Sequence, residues 1–477
     1  MMGKQIITIL ALIAITVISA TSYNYIQYDE RIPFLVIVTA LIIVYLFFLY
    51  QQKTKYKGLW HKPSNIFIVS YLIVSFQYVL DFCLGYKTYQ DFYVPSSVNK
   101  MSITCLIGLL SFVFGYVFTK DKWTSNNSTS SGRVISTSFL VILQILFFVA
   151  WIMTVGVVEL LSGNGYFEDL SGTTSSNYEM LFYDVTVTIL VSIIMNSKGI
   201  SIRTFKEFLN QSPALSWIIV GLYCLLRLIS GDRGPALYTA LAVFFAYLIV
   251  SHKSIRLSRL LFFAIIGAVV LNLVGIARSL SLDKSFSERI ATALSDYSSS
   301  SEARFSEKTI LPIAEELAMS SRCNQIAIDL IDKGEDNYHY GKYFFYQLIQ
   351  CVPYIPSFLV NTLNISEDEL SANIKMTDVY HGRHDLSQIG TTIVADSYFD
   401  GGVIGVILML FLCGWTFRKV DFVVCISSPS NWFQTALVIL LASMAIYIPR
   451  STLILQFKQL IPVGAFYYIN YFLSSKR

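Results

Sequence analysis

Residues 260–277 read LLFFAIIGAVVLNLVGIA, and Arg278 comes directly after them. The run carries no charge and holds a single asparagine. At 1.5 Å per helical residue it covers about 27 Å, close to the hydrocarbon thickness of a bilayer. A helix on the surface of a soluble domain would need a polar face, and this stretch has none. It reads as a membrane span that meets water at an arginine. The next stretch has the opposite character: Arg278 to Gly405 is the one long water-compatible segment of the chain and holds most of its clustered acids.

The same pattern extends in both directions. Apolar runs fall at about Gln5–Thr21, Pro33–Tyr50, Ile66–Gly85, Ser102–Thr119, Ile135–Val155 and Met180–Met195. They continue at Ala214–Ile229, Ala236–Val250, Leu260–Ala277, Gly402–Phe417, Phe433–Ile448 and Leu453–Leu473. The hydrophobic fraction is 54%, the charged fraction 14% and the mean hydropathy +0.57. A soluble chain carries nearer ~25% charge. Strands of a membrane β-barrel would be short and alternating, unlike these runs. The expected fold is an all-α polytopic membrane protein with about 12 transmembrane helices. Its organisation is nine helices over 1–277, a large loop with amphipathic helices over 278–390, and three helices over 391–477. The N-terminus resembles a signal peptide, but Ile18-Ser19-Ala20 is a poor cleavage site, so it reads as an uncleaved first span.

Basic residues orient the chain. Lys53, Lys55, Lys57, Lys62, Lys120, Lys122, Arg133, Lys198, Arg203, Lys206, Lys253, Arg256 and Arg259 lie on the same side as Lys4 when the spans are counted. Arg418, Lys419, Lys476 and Arg477 join them. By the positive-inside rule that side is the cytoplasm. Both termini are then inside, and the 278–390 loop is extracytoplasmic. Within it, Phe305 to Leu330 reads as one or two amphipathic helices. The aromatic piece Tyr343–Ile349 is too short to span. It either lies in the headgroup layer or packs over the loop's own core.

With topology set, basic residues on the wrong side become informative. Arg227, Arg233 in Gly231-Asp232-Arg233-Gly234-Pro235, Arg278 and Arg450 fall at outer ends of spans, and Lys458 lies in or near the last one. An arginine at membrane depth costs about 2.5–3.5 kcal/mol on insertion scales, so it persists when paired or needed. Guanidinium groups donate parallel hydrogen bonds to phosphate oxygens and stay charged, which suits a diphosphate. The plainer reading is snorkelling at the interface, or pairing with Asp232, Glu159 or Asp396. Glycines beside Arg233 would let backbone N–H groups approach an anion.

A second group lies at the end of the loop. Asp396 and Asp400 are four apart and would share one helix face. Either could act as a base or orient an arginine. His381 and His384, with Arg383 between them, could take a proton from a sugar hydroxyl or simply be solvated. Gly401, Gly402 and Gly405 could mark close helix packing. The acidic turns Glu367-Asp368-Glu369 and Asp332–Asp336 lack an Asp-x-Asp pair, so solvated helix ends explain them better than a metal. The seven cysteines show no ligand spacing. Cys323 and Cys351 share the loop, which leaves a disulfide open. No Walker loop, Rossmann turn or Gly-x-Ser-x-Gly elbow is present.

The span count, the long outer loop before the last three spans, Gly231-Asp232-Arg233-Gly234 and Asp396-x-Tyr398-x-Asp400-x-Gly402-x-x-Gly405 together resemble the Wzy-type O-antigen and capsular oligosaccharide repeat-unit polymerases. That family more usually shows Glu-x-Tyr-x-Asn-Phe-Gly at the second motif. The resemblance implies a membrane-embedded, GT-C-like glycosyltransferase, related in layout to O-antigen ligases and using no metal or cofactor. Such an enzyme joins undecaprenyl-diphosphate-linked oligosaccharides, outside the bacterial cytoplasmic (inner) membrane, into O-antigen or capsule. Its partners would be those lipid-linked sugars, the lipid bilayer and, by family analogy, a chain-length regulator; no nucleic acid is expected. Family ligases use a loop histidine, for which His381 and His384 are the nearest counterparts.

The expected division of labour is therefore Arg227, Arg233, Arg278, Arg383 and Arg450 on the donor diphosphate, Asp396 or His384 as base, and Tyr398, Asp400 and His381 on glycan. An O-antigen ligase or a lipid-linked-oligosaccharide flippase would share many of these features. The large one-sided loop argues against the transporter, whose site would lie at the midplane between repeats.

Overall fold

A computed structural model describes residues 31–54, 57–120, 136–162, 173–198, 202–279, 288–289, 291–292, 309–311, 314–352, 355, 362, 372–381, 389–426, 429 and 431–475. The described residues are helical throughout, without strands. In order, the main helices are α1 (Arg31–Gln52), α2 (Pro63–Cys83), α3 (Val98–Phe118), α4 (Ser138–Val155), α5 (Thr173–Asn196), α6 (Ala214–Ile229) and α7 (Arg233–Ser251). They continue with α8 (Leu257–Ser279), α9 (Ser321–Asp332), α10 (Lys342–Gln350), α11 (Ala372–His381), α12 (Ile393–Cys425), α13 (Trp432–Ser443) and α14 (Leu460–Ser475). Every expected apolar run within the described residues falls on one of these; Gln5–Thr21 lies outside them. Helices are the outcome because a backbone in lipid must bond to itself.

Among the described residues, seven helices are long and apolar enough to cross a membrane: Arg31–Gln52, Pro63–Cys83, Pro95–Phe118, Ser138–Val155, Ser176–Asn196, Arg233–Ser251 and Ile393–Cys425. Shorter apolar stretches lie at Ala214–Ile229, Leu257–Gly267 and Trp432–Ser443. The protein is a multi-pass membrane protein.

The chain forms two compact units, each assembled from separate parts of the sequence. The first is Met1–Asp121, Glu307–Lys419 and Ala445–Lys458. Its interior is aromatic: Phe67 stacks on Phe112 with ring centroids 4.5 Å apart, and Phe417 of α12 lies 5.0 Å from Phe67. The loop helices are built onto this base. Cys323, Ile326, Ala327 and Leu330 of α9 pack with Tyr343 of α10, Met376 of α11 and Phe399 of α12. Asp81 at the end of α2 accepts from the Thr309 hydroxyl at 2.7 Å and the Ile310 N–H at 2.8 Å. Helix α10 buries Tyr343 and Gln347 and exposes Phe345 and Leu348. It is thus packed on protein along one side, the second of the two placements its sequence allowed. Cys323 and Cys351 are free thiols, directed at the carbonyls of Gly390 and of Gln347 and Ile454.

The second unit is Lys122–Ser306, Val420–Met444 and Gln459–Arg477. A buried Gln144 links three of its helices: its amide donates to Thr186 at 3.0 Å and its carbonyl accepts from Ser216 at 2.7 Å. Phe148, Trp151, Phe182 and Tyr223 fill the space around that link.

Helix α12 departs from the sequence expectation. The apolar run begins at Gly402, whereas the helix starts at Ile393 and runs 33 residues, broken at Gly401 and Gly402. Gly402 sits at φ 58°, ψ −144°, open to glycine because a Cβ would clash with the backbone. A Cβ on Gly405 would lie 2.1 Å from the Ser397 carbonyl oxygen, so the two sides of the break press together there. The polar lead-in falls outside the apolar run because its acids and hydroxyls have no apolar period. It nevertheless continues the helix that the spacing of Asp396 and Asp400 suggests, and α10 supplies partners to both acids.

Candidate functional site

In the first unit, the lead-in of α12 turns two acids toward α10. Asp400 accepts hydrogen bonds from the Tyr343 N–H at 2.9 Å and the Phe344 N–H at 2.7 Å, in the first turn of that helix. Those N–H groups lack intrahelical partners, and the helix dipole favours an anion there. One turn earlier, Asp396 accepts from Gln347 Nε2 at 2.9 Å and from the Thr391 hydroxyl at 2.5 Å. Gln347 is held in turn by the Thr452 hydroxyl, 2.6 Å from its carbonyl oxygen. Asp396 is only 7% exposed, and among the described residues no lysine or arginine pairs with it. A buried carboxylate satisfied only by neutral donors is costly, and such groups concentrate where they have a chemical task.

Arg450 ends a 3₁₀ turn, Ile448–Arg450, in the same unit. It and Asp396 both act on the Cys323 thiol. Burial pushes that thiol up to about 12, with Arg450 pulling it down and Asp396 adding to the rise.

Beside the break in α12 lies a turn that sequence reasoning treated only as an acidic helix end. Asp336 is ion-paired with Lys375 of α11 and with His339 Nε2 at 3.1 Å. Burial works against its carboxylate, but hydrogen bonds from Lys375, His339 and the Asn337 N–H outweigh it and hold its pKa below the ordinary value. The backbone N–H of His339 donates to the Phe399 carbonyl at 2.8 Å, fastening the turn to α12. The Tyr338 hydroxyl lies 3.0 Å from where a Cβ on Gly402 would be. Tyr340 is 88% exposed and sits at φ 51°, a left-handed conformation that costs a non-glycine residue about 1–2 kcal/mol. Two neighbouring acids are also engaged, Asp332 by Lys100 and Asp329 by Lys333.

The second unit holds Arg227, Arg233 and Arg278. Arg227 is fully buried, with Nε 2.5 Å from Glu179 Oε1, Nη2 paired to Oε2 of the same carboxylate, and Nη1 3.5 Å from Asp232. Its guanidinium lies 4.9 Å from the Trp151 ring, and the Tyr223 hydroxyl donates to Glu179 as well. Arg227 is therefore committed to protein carboxylates; Asp232 was among the partners its sequence suggested, and Glu179 was not. Arg233 is half-buried at the first position of α7, after Gly231 at φ 86°.

Among the other expected site residues, Tyr398 is buried at 1% exposure, its ring 6.2 Å from Tyr338 and 5.8 Å from Lys100 Nζ. That position places it behind the surface rather than on it. His381 ends α11 and Arg278 lies in the last turn of α8; both side chains lie outside the described residues, as do Arg383 and His384 altogether.

A family model for the O-antigen polysaccharide polymerase Wzy matches residues 5–476. The chain belongs to that family. No curated protein and no solved structure matches it. As a Wzy-family member it is a membrane enzyme of polysaccharide biosynthesis, a polymerase acting on lipid-linked oligosaccharides. For a Wzy polymerase, the residues that sequence reasoning missed are those meeting Asp396 and Asp400 from elsewhere, namely Gln347, Thr391 and the N-terminus of α10, together with Thr452, which holds Gln347.

Proposed function

We propose that the protein joins undecaprenyl-diphosphate-linked repeat units into O-antigen or capsular polysaccharide by inverting glycosyl transfer, on the outer face of the cytoplasmic membrane. About twelve spans with both termini inside belong to this reading, as do the absence of a metal requirement and a chain-length regulator as partner. The observation that carries the chemistry is Asp396, a buried carboxylate held by Thr391 and Gln347 with no cation paired to it among the described residues.

In the proposed reaction, the acceptor sugar hydroxyl gives its proton to Asp396 as its oxygen attacks the anomeric carbon of the donor. The bond from that carbon to the diphosphate oxygen breaks, and undecaprenyl diphosphate leaves with the electron pair. Negative charge grows on the diphosphate in the transition state, and fixed guanidinium groups stabilise it without reorganising. Arg233, Arg278 and Arg450 are the groups proposed for that role, with Arg383 assisting. Arg227 supports Asp232, the residue before Arg233, and does not touch substrate itself. His384 is the alternative base, and Asp400 and His381 belong to the glycan side.

The test is an in vitro reaction of the purified protein with a defined repeat unit on undecaprenyl diphosphate. Wild type yields a ladder of polymer; Arg233→Ala and Arg278→Ala yield none at equal protein level. A normal ladder from both variants refutes the arginine assignment. Transport of the lipid without new glycosidic bonds would make the protein a flippase, and transfer to a different acceptor would make it a ligase.

A further inference from the structure

The turn from Asp336 to Gly341 has a composition and setting that packing alone does not account for. Tyr340 is a large ring kept 88% exposed on a left-handed backbone, where glycine would be comfortable. Tyr338, 37% exposed, stands beside it with ring centroids 6.5 Å apart, and is backed by the buried Tyr398. Between the two tyrosines in sequence is His339, a fifth exposed, whose Nε2 bonds Asp336. In the neutral tautomer whose Nε2 donates to that carboxylate, Nδ1 is the acceptor nitrogen, and it makes no hydrogen bond among the described residues. Lys375 holds Asp336 from α11. The turn thus offers two aromatic surfaces and a fixed polar edge, tied to the break in α12 through the Phe399 carbonyl and the contact of Tyr338 with Gly402.

A pyranose ring has an apolar face of axial C–H groups and a rim of hydroxyls. Aromatic faces are electron-rich and take up such C–H groups, while planar side-chain acceptors bond the rim. We propose that this turn is a saccharide-binding subsite, in which one sugar residue lies on Tyr340 and Tyr338 while a hydroxyl bonds His339 Nδ1. Asp336 and Lys375 are positioning residues that set the tautomer and angle of His339. The sugar is a residue of the growing glycan, a statement that rests on the polymerase reading above.

The test uses the full chain in nanodiscs and, as probe, an oligosaccharide released by mild acid from the host cell's own surface polysaccharide. Binding is titrated by saturation-transfer NMR in wild type, Tyr340→Ala, Tyr340→Trp and Tyr340→Gly. The glycine variant removes the ring while relieving the backbone, so its fold is at least as stable as wild type. The expected result is a loss of affinity of tenfold or more in the alanine and glycine variants, with Tyr340→Trp within about threefold of wild type. Equal affinity in all four proteins overturns the proposal, as does a wild type that polymerises lipid-linked repeats yet does not bind the probe. Unchanged probe affinity with weaker retention of the glycine variant in the bilayer would overturn it too, assigning the tyrosines to the headgroup layer. If the probe binds as expected but no polymer forms from lipid-linked repeats, the subsite stands and the polymerase reading fails.

Discussion

Removing Arg227 should unfold the second unit unless Glu179 is removed with it. Glu179 accepts three hydrogen bonds in the structure, two from Arg227 and one from Tyr223. Arg227→Ala leaves that buried carboxylate with the tyrosine alone, and it opens a cavity under Trp151. Stranding one member of a buried ion pair costs about 3–5 kcal/mol, or roughly two to three and a half orders of magnitude in the folded-to-unfolded ratio. Replacing both members by apolar residues of similar volume removes the charge and the desolvation together, so Arg227→Met with Glu179→Leu should recover most of that loss. Asp232 then loses its contact with Arg227, but it is a quarter exposed and can be solvated. The assay is thermal unfolding of the purified protein, wild type, two single variants and the double, read as a cycle. A coupling near zero, or an Arg227→Ala protein as stable as wild type, refutes the account of Arg227 as a structural cation. The same four proteins in the polymerisation reaction separate the two roles considered for it: a stable double variant that cannot extend glycan would return Arg227 to the diphosphate.

Three further outcomes are expected. Asp396→Asn still accepts from Thr391 but turns an N–H toward Gln347 Nε2, so its unfolding temperature is measured alongside; extension should fall about 10²- to 10⁴-fold in the lipid-linked assay, and undiminished turnover excludes Asp396 as base. Gly402→Ala should cost about 1–3 kcal/mol by forcing a Cβ into the positive-φ region beside the Tyr338 ring, seen as a lower unfolding temperature, and a neutral effect would mean the break in α12 is not held as described. The Asp336 carboxylate has a lowered pKa in the folded chain, so its contribution to the turn is fully present above the unfolded value of about 3.9 and is lost as pH falls through the folded value. Hydrogen exchange at the turn should therefore stay slow at neutral pH and quicken only on strong acidification, and Lys375→Met should move that onset to higher pH; an onset unmoved by the variant would dissociate Lys375 from the effect.

The sequence alone determined the helical, membrane-spanning class and where the apolar helices of the described residues lie, because bilayer thickness and backbone bonding leave a long uncharged run one outcome. It also singled out Arg227, Asp396 and Asp400 as groups in need of an explanation, since a charge at such depth is costly wherever it stands. Which partner relieves each charge is a different matter. Glu179 lies 48 residues from Arg227, Gln347 lies 49 from Asp396, and Thr452 lies 105 from Gln347. No local period encodes such meetings, because they are set by how separate helices pack. Tertiary structure therefore decided that Arg227 is spent on a carboxylate, that Asp396 meets the neutral donors Thr391 and Gln347, that Tyr398 is buried behind Tyr338, and that a turn read as a solvated helix end carries a histidine fastened to the break in α12.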